Sequence, residues 1–240
     1  MAGRNRSMLN PITIKVTFVL ISTLMIFNGC AKKTTKINFK DINSNSNEMN
    51  SLIITSMSSK EESKFYEYNI RIPKLIIEGK EKGNLEEFNT ELNEYISQIV
   101  ARLDIVSNEL KPEDKKFSLK IDYEIHYGYN TYTIILIATQ EIHDSPITNY
   151  RTYYIQDNGH YIHNIDDIIK TDEAFPFFIK KIKEKILPNE LLFDLQQAVI
   201  YFENKKIIIK FPEYTFKLDD SEELQNIFEF NASEIEQFVK

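Results

Sequence analysis

Four histidines, a set of paired acids and one cysteine are the residues with which this chain could do chemistry. His160 and His163 flank Tyr161-Ile162. With a third ligand such as Asp157 or Asp166, and a rigid loop to set the geometry, they would make a zinc-type site. Two loop histidines with no fixed third partner read instead as solvated side chains, so no metal and no cofactor are expected. His126 falls among polar residues of an alternating segment, which places it at the surface. Asp166-Asp167, Asp219-Asp220 and Glu222-Glu223 sit in loops or at helix starts, where carboxylates complement the helix dipole. The sequence has no Gly-rich phosphate loop, no HExxH and no Gly-x-Ser-x-Gly. The expectation is therefore a protein that is not an enzyme. The alternative is an enzyme acting on wall glycans through loop carboxylates, whose separation a sequence does not give.

The cysteine, Cys30, is the only one in the chain and closes a distinctive stretch. The first thirty residues hold no acid and three bases, Arg4, Arg6 and Lys15. They continue into the apolar run Val16–Phe27 and then Asn28-Gly29-Cys30. A basic flank, an apolar run of roughly 7–15 residues and a small residue before the cut describe a secretory signal. A membrane-spanning helix would need about 20 apolar residues. Gly29 followed by Cys30 resembles the lipobox of exported lipoproteins, although Phe27 and Asn28 replace its usual Leu and small residue. The reading is a signal peptide over 1–29, lipid attachment at Cys30 and an extracytoplasmic, membrane-anchored product. A lone cysteine also leaves the fold no internal disulfide to lean on.

Charge narrows the partners. Removing the signal takes three of 29 bases and none of 36 acids, leaving 26 against 36, a net charge of −10. Such a domain suits cationic partners and makes a poor binder of nucleic acid or of an anionic membrane surface.

The elements that must position these groups follow from periodicity. Residues 30–50 are polar, with a Ser/Asn alternation, and read as a flexible tether. Residues 51–240 then form either one domain or two subdomains, about 51–145 and 146–240. Phe65–Ile72 alternates as a half-buried strand that Pro73 ends or marks as an edge. Asn84-Leu-Glu-Glu87 offers a helix N-cap with an acid three residues on. Leu85, Phe88, Leu92, Ile96, Ile99 and Leu103 then recur at helical spacing. Phe117–Tyr127 is the cleanest strand, and Gly128-Tyr129-Asn130 turns into the dense apolar run Tyr132–Ala138. Tyr150–Ile155 is a further strand before the turn signal Asp157-Asn158-Gly159. A short helical piece near Ile165–Lys170 precedes an amphipathic helix with Phe175, Phe178, Ile179, Ile182 and Ile186 inward. A hairpin about Asn204-Lys205 and a terminal helix opened by the capping pattern Asn231–Glu234 complete the chain. The fold class is α+β, a mostly antiparallel sheet packed with two or three amphipathic helices. Of thirteen tyrosines, Tyr66, Tyr68 and Tyr123 are assigned to the core. Tyr127 and Tyr129, beside Gly128, are the exposed ligand-binding candidates, because tyrosine offers rigid contact area with a polar tip.

Ile72-Pro73-Lys74-Leu75, a spacer, then Phe88-Asn89 and Leu92-Asn93 resemble the opening of an extracytoplasmic domain of unknown function. Gly159, Ile165-Asp166-Asp167-Ile168, the Val199–Phe211 hairpin and Pro212-Glu213-Tyr214 resemble its usual companion domain. The pair occurs in lysozyme-sensing anti-sigma factors and at the amino-terminal side of some peptidoglycan deacetylases. The resemblance covers about residues 60–240. It departs at Tyr214-Thr215-Phe216-Lys217, where the companion usually carries an Ala-Pro loop and a Gly. Fifteen residues precede the apolar run and nothing follows Lys240, so a sigma-holding or catalytic domain is not expected. The resemblance implies a binding module alone, a membrane-anchored lipoprotein whose ligand is peptidoglycan or a protein such as a cationic lysozyme.

Overall fold

The computed structural model describes residues 37–49, 52–77, 84–107, 115–142, 145–186, 193–212, 215 and 226–240. The architecture is α+β. A seven-stranded sheet runs in sequence order: β1 (Lys40–Met49), β2 (Leu52–Glu62), β3 (Tyr66–Ile77), β4 (Phe117–Gly128), β5 (Thr131–Ile142), β6 (Ser145–Gln156) and β7 (Tyr161–Ile162). Every neighbouring pair is antiparallel except β3 and β4. Parallel neighbours need a crossover, which α1 (Leu85–Ser107) supplies. Leu85, Phe88, Leu92, Ile96, Ile99 and Val100 of α1 are buried against Ile70, Ile72, Leu119, Ile121, Tyr132, Ile134 and Tyr153 of the sheet. That is the stripe expected from their spacing of three and four.

The opposite face of β4–β6 carries a second layer. β8 (Val199–Glu203), β9 (Lys206–Lys210) and β10 (Ile227–Asn231) form an antiparallel sheet in the order β10-β9-β8. Ile135 of β5 packs against Val199, Tyr201 and Ile208. The Tyr154 hydroxyl donates to the Ile200 carbonyl at 2.8 Å, and the Phe202 amide to Thr133 Oγ1 at 3.4 Å. α2 (Thr171–Lys185) sets Phe178 and Ile182 into a core shared with Phe202, Phe228 and Phe230. α3 (Ala232–Ile235) and a 3-10 turn, Glu236–Phe238, add Ile235 and Phe238. The Lys240 amide donates to Ile168 at 2.9 Å, which fastens the last residue to the domain.

Several expectations change. The tether does not extend to Asn50, because Lys40–Met49 is a strand paired with β2. An edge strand needs only backbone pairing on one side, so its polar Ser/Asn text showed no core-facing pattern. The division near residue 145 falls inside one continuous sheet, since β6 pairs with β5 from Ser145 to Gln156. Pro73 does not end its strand; β3 continues to Ile77. It does mark an edge, since β3 pairs with β4 only over Tyr66–Ile70. Past that point a missing N–H leaves no ladder bond unmade. The bared Leu75 carbonyl is met by Asn89 Nδ2 of α1 at 3.3 Å.

Candidate functional site

Three turns meet at one end of the sheet. The β4–β5 turn is Tyr129-Asn130, with φ of 49° and 55°. A two-residue turn with both central residues left-handed is the type I′ geometry that matches strand twist. The β8–β9 turn places Asn204 at φ 54°. Gly128 and Asn204 form a parallel bridge, and the Asn204 amide donates to the Tyr127 carbonyl at 2.8 Å. The chains approach so closely that a Cβ on Gly128 would lie 2.7 Å from the Asn204 carbonyl oxygen and 2.9 Å from the Glu203 nitrogen. Glycine is needed here for space. The third turn, after β6, is closed by Gly159 (φ 82°) and touches the first through Asp157, whose amide donates to the Asn130 carbonyl at 3.0 Å.

Tyr129 is the central side chain of this tip. Its ring stands edge-on to Phe202 at 6.1 Å, and its hydroxyl donates to the Lys205 carbonyl at 3.1 Å. Burial, and then Glu236, hold that hydroxyl above the usual tyrosine pKa. Asn130, Asn204 and Lys205 of the two hairpin turns, Asn158 of the third turn, and the nearby His160, Glu203 and Glu236 are exposed. Tyr127 lies at the same end but packs against the α1-side core, its ring 4.7 Å from Tyr132, whereas Tyr129 packs against the second core. The two candidates are thus brought to one end on opposite faces of the sheet. Both are half-buried rather than exposed.

His126 is also corrected. The face of β4 that reads as polar is partly covered by the second sheet. The His126 ring lies 4.1 Å from Tyr201 and is only 19% exposed. Its Nε2 is 3.5 Å from Glu124 and its Nδ1 3.6 Å from Glu203. Lys210 Nζ stands 3.6 Å from Glu124, and Lys206 pairs with Glu229 at 2.7 Å. Burial, with Glu203 next, pushes the Tyr201 hydroxyl up to about 12. The two imidazole nitrogens point at different carboxylates, so this layer ties the sheets together without converging on a centre.

A third cluster was not anticipated. Arg151 of β6 donates to Glu91 of α1 at 2.5 Å, and its guanidinium lies 4.4 Å from the Tyr95 ring and 5.2 Å from the Tyr153 ring. The other Glu91 oxygen accepts from the Tyr161 hydroxyl at 2.7 Å. Tyr153 Oη is buried with no hydrogen-bond partner, and burial drives its pKa far up. The available signal was Glu91 itself, an acid sharing a helical face with Phe88 and Tyr95. Beside it, Asn84 does not cap α1 through its side chain. The amide pairs with the Tyr161 backbone like a strand, Oδ1 accepting at 2.5 Å and Nδ2 donating at 3.2 Å.

Of the remaining candidates, His160 and His163 are exposed, and His163 Nε2 lies 3.4 Å from Glu87. Asp166 is taken up locally, accepting from Asn164 Nδ2 at 2.9 Å and from the Thr171 hydroxyl. Among the described residues no three His, Cys, Asp or Glu gather as metal ligands. Cys30, His143, Asp219-Asp220, Glu222-Glu223 and the Tyr214–Lys217 departure, except Thr215, lie outside the described residues. No protein-family model matches the chain, and no curated protein matches it.

Proposed function

We propose that the chain is an envelope lipoprotein, anchored through Cys30, whose α+β domain binds a cell-wall or protein ligand without transforming it. The ligand class best suited to it is a cationic wall-directed protein such as lysozyme. The observation that carries this reading is Tyr129 at the tip. An aromatic residue at φ 49° occupies a backbone that Asn or Gly adopts at less cost. Left-handed strain of about 1–3 kcal/mol is characteristically kept at ligand clamps. Glu236 acts on the Tyr129 hydroxyl, and Asp157 and Glu203 belong to the two turns that meet its own, with Lys205 at the same tip. The mature charge of −10 has the same sign, so long-range steering and the local surface favour the same partner.

The test is a pull-down of the mature protein against immobilised lysozyme and against purified peptidoglycan, at low and high salt. Retention on lysozyme at low salt, weakened by salt and by Tyr129→Ala in a folded protein, is the expected result. Retention on neither matrix removes the reading. Release of sugar from muropeptides, lost on Asp157→Asn, would replace it with the glycan-cleaving alternative.

A further inference from the structure

The charge of this chain is segregated. Ala31–Lys40 holds Lys32, Lys33, Lys36 and Lys40 and no acid. Residues 41–240 then hold 22 bases against 36 acids, a net of −14. The net sign argues against an anionic membrane for the domain as a whole, but it conceals one basic face.

The fold joins the end of that segment to further lysines. Ile37 and Phe39 pack against the first core, and the alternate residues Asn38 and Lys40 are exposed. Lys40 pairs with Ser58 of β2, which pairs in turn with Arg71 of β3. Two residues along β2, Lys60 pairs with Asn69, and Asn69 pairs with Lys120 of β4. Lys60, Asn69 and Lys120 are exposed, while Tyr68, Ile70, Leu119 and Ile121 beside them are buried under α1. Strand side chains alternate between faces, so the row lies on the face away from α1. Two strand spacings place Lys60 and Lys120 about 10 Å apart across Asn69. Among the described residues Lys40, Lys60 and Lys120 make no ion pair, whereas Arg71 is bound to Asp122 at 2.6 Å. The acids at the neighbouring rim are mostly answered. Glu62 pairs with Lys116 at 2.5 Å and Glu141 with Lys115 at 2.9 Å, Glu61 accepts from the Tyr66 and Tyr68 hydroxyls at 2.9 and 2.8 Å, and Glu67, on the same face as Asn69, stays exposed.

We infer that this face, centred on Lys40, Lys60 and Lys120, docks on an anionic phospholipid surface and holds the domain against the bilayer. The inference rests on the lipoprotein reading for the anchor. Ile37 lies seven positions past Cys30, at most about 25 Å of extended chain, so a lipid on Cys30 keeps Lys40 within reach of headgroups. The intervening Lys32, Lys33 and Lys36 add charge of the same sign. A lysine near such a surface strengthens binding about fivefold, an effect confined to a screening length of roughly 8–10 Å. Without Lys60 and Lys120, residues 41–240 hold 20 bases against 36 acids, a net of −16 that the same surface repels, which selects one orientation. Gly128 lies eight positions along β4 from Lys120, so the Tyr129 tip lies roughly 25 Å from the lysine row and stays clear of that contact.

The experiment uses the lipidated mature protein in vesicles of phosphatidylcholine, with or without phosphatidylglycerol. Amine-reactive labelling is read lysine by lysine by mass spectrometry. Lys40, Lys60 and Lys120 should label several-fold more slowly on the anionic vesicles and recover in high salt. Lys205 at the tip should be unchanged. Lys60→Glu with Lys120→Glu should abolish the protection of Lys40, and Lys60→Gln with Lys120→Gln provides a second, milder pair. Equal labelling on both vesicles, or protection at Lys205, overturns the docking face. Equal protection by soluble polyphosphate also overturns it, by marking a site for anionic polymers. Intact mass of the same preparation reports the acyl group separately. Without it the lipoprotein reading fails, and the face then stands or falls on salt-reversible sedimentation with anionic vesicles that the Lys60→Glu/Lys120→Glu pair must lose.

Discussion

Gly128→Ala tests how the tip is assembled. An alanine Cβ there would sit 2.7 Å from the Asn204 carbonyl oxygen, 2.9 Å from the Glu203 nitrogen and 3.0 Å from the Asn204 nitrogen. All three are backbone atoms, so no rotamer change relieves the contact and the two hairpins must separate. Overpacking of this kind costs about 1–3 kcal/mol. Separation also breaks the 2.8 Å bond from the Asn204 amide to the Tyr127 carbonyl, worth about 1 kcal/mol. The expected loss is therefore about 2–4 kcal/mol. With a urea m-value of about 2 kcal/mol/M, the unfolding midpoint should fall by about 1–2 M. The Asn204 amide should also exchange faster in the native state. The sign itself discriminates, because without crowding a Gly→Ala change inside a strand is stabilising by roughly 0.5–1 kcal/mol. A midpoint that stays level or rises, with Asn204 exchange unchanged, would refute the close crossing of the two hairpins.

Three further outcomes follow from the buried polar groups. Tyr153→Phe removes a buried hydroxyl that has no partner, so it should be neutral or stabilising, whereas Tyr161→Phe breaks the bond to Glu91 and should cost about 1.5–3 kcal/mol; thermal unfolding of the two variants reads the contrast. Asn84→Ala removes both bonds to the Tyr161 backbone and should cost about 1–3 kcal/mol, with exchange at Tyr161 accelerated over that at β5. Burial raises the pKa of Tyr132 and Tyr201 to about 12 and drives Tyr153, Tyr154 and Tyr161 higher still. These five should lag in a spectrophotometric titration. Above about pH 10 the unfolded chain loses these protons while the folded one keeps them, so their contribution, complete below that pH, is lost as pH rises through the folded values. Stability that stayed level from about pH 10 to 12 would contradict the burial.

How much could be read from the text depended on whether an element met a core. β4 and α1 announced themselves because each presents one continuous apolar face, as Leu119 and Ile121 or Phe88, Leu92 and Ile96 do. β1 and β10 did not. β1 needs only backbone pairing, and in β10 only Phe228 and Phe230 face inward, too few to establish a period. The second layer was the larger omission. Glu124 and His126 alternate with apolar residues as a solvated face would, and nothing local indicates that Tyr201 and Glu203, far along the chain, will cover them. At the tip, Gly128, Tyr129 and Asn130 were legible as a turn. That Asn204 would cross it at contact distance was not, because the demand for a glycine comes from another hairpin. Cys30 and the paired tail acids lie outside the described residues, so their parts rest on sequence alone.

The most direct measurement of the central claim is amide hydrogen exchange of the mature protein with and without saturating lysozyme. Binding at the tip should slow exchange at Tyr129-Asn130, at Asp157–His160 and at Asn204-Lys205, with the β2–β3 turn unaffected. Unchanged exchange at all three turns, or protection confined to the β2–β3 turn or to β1, would contradict it.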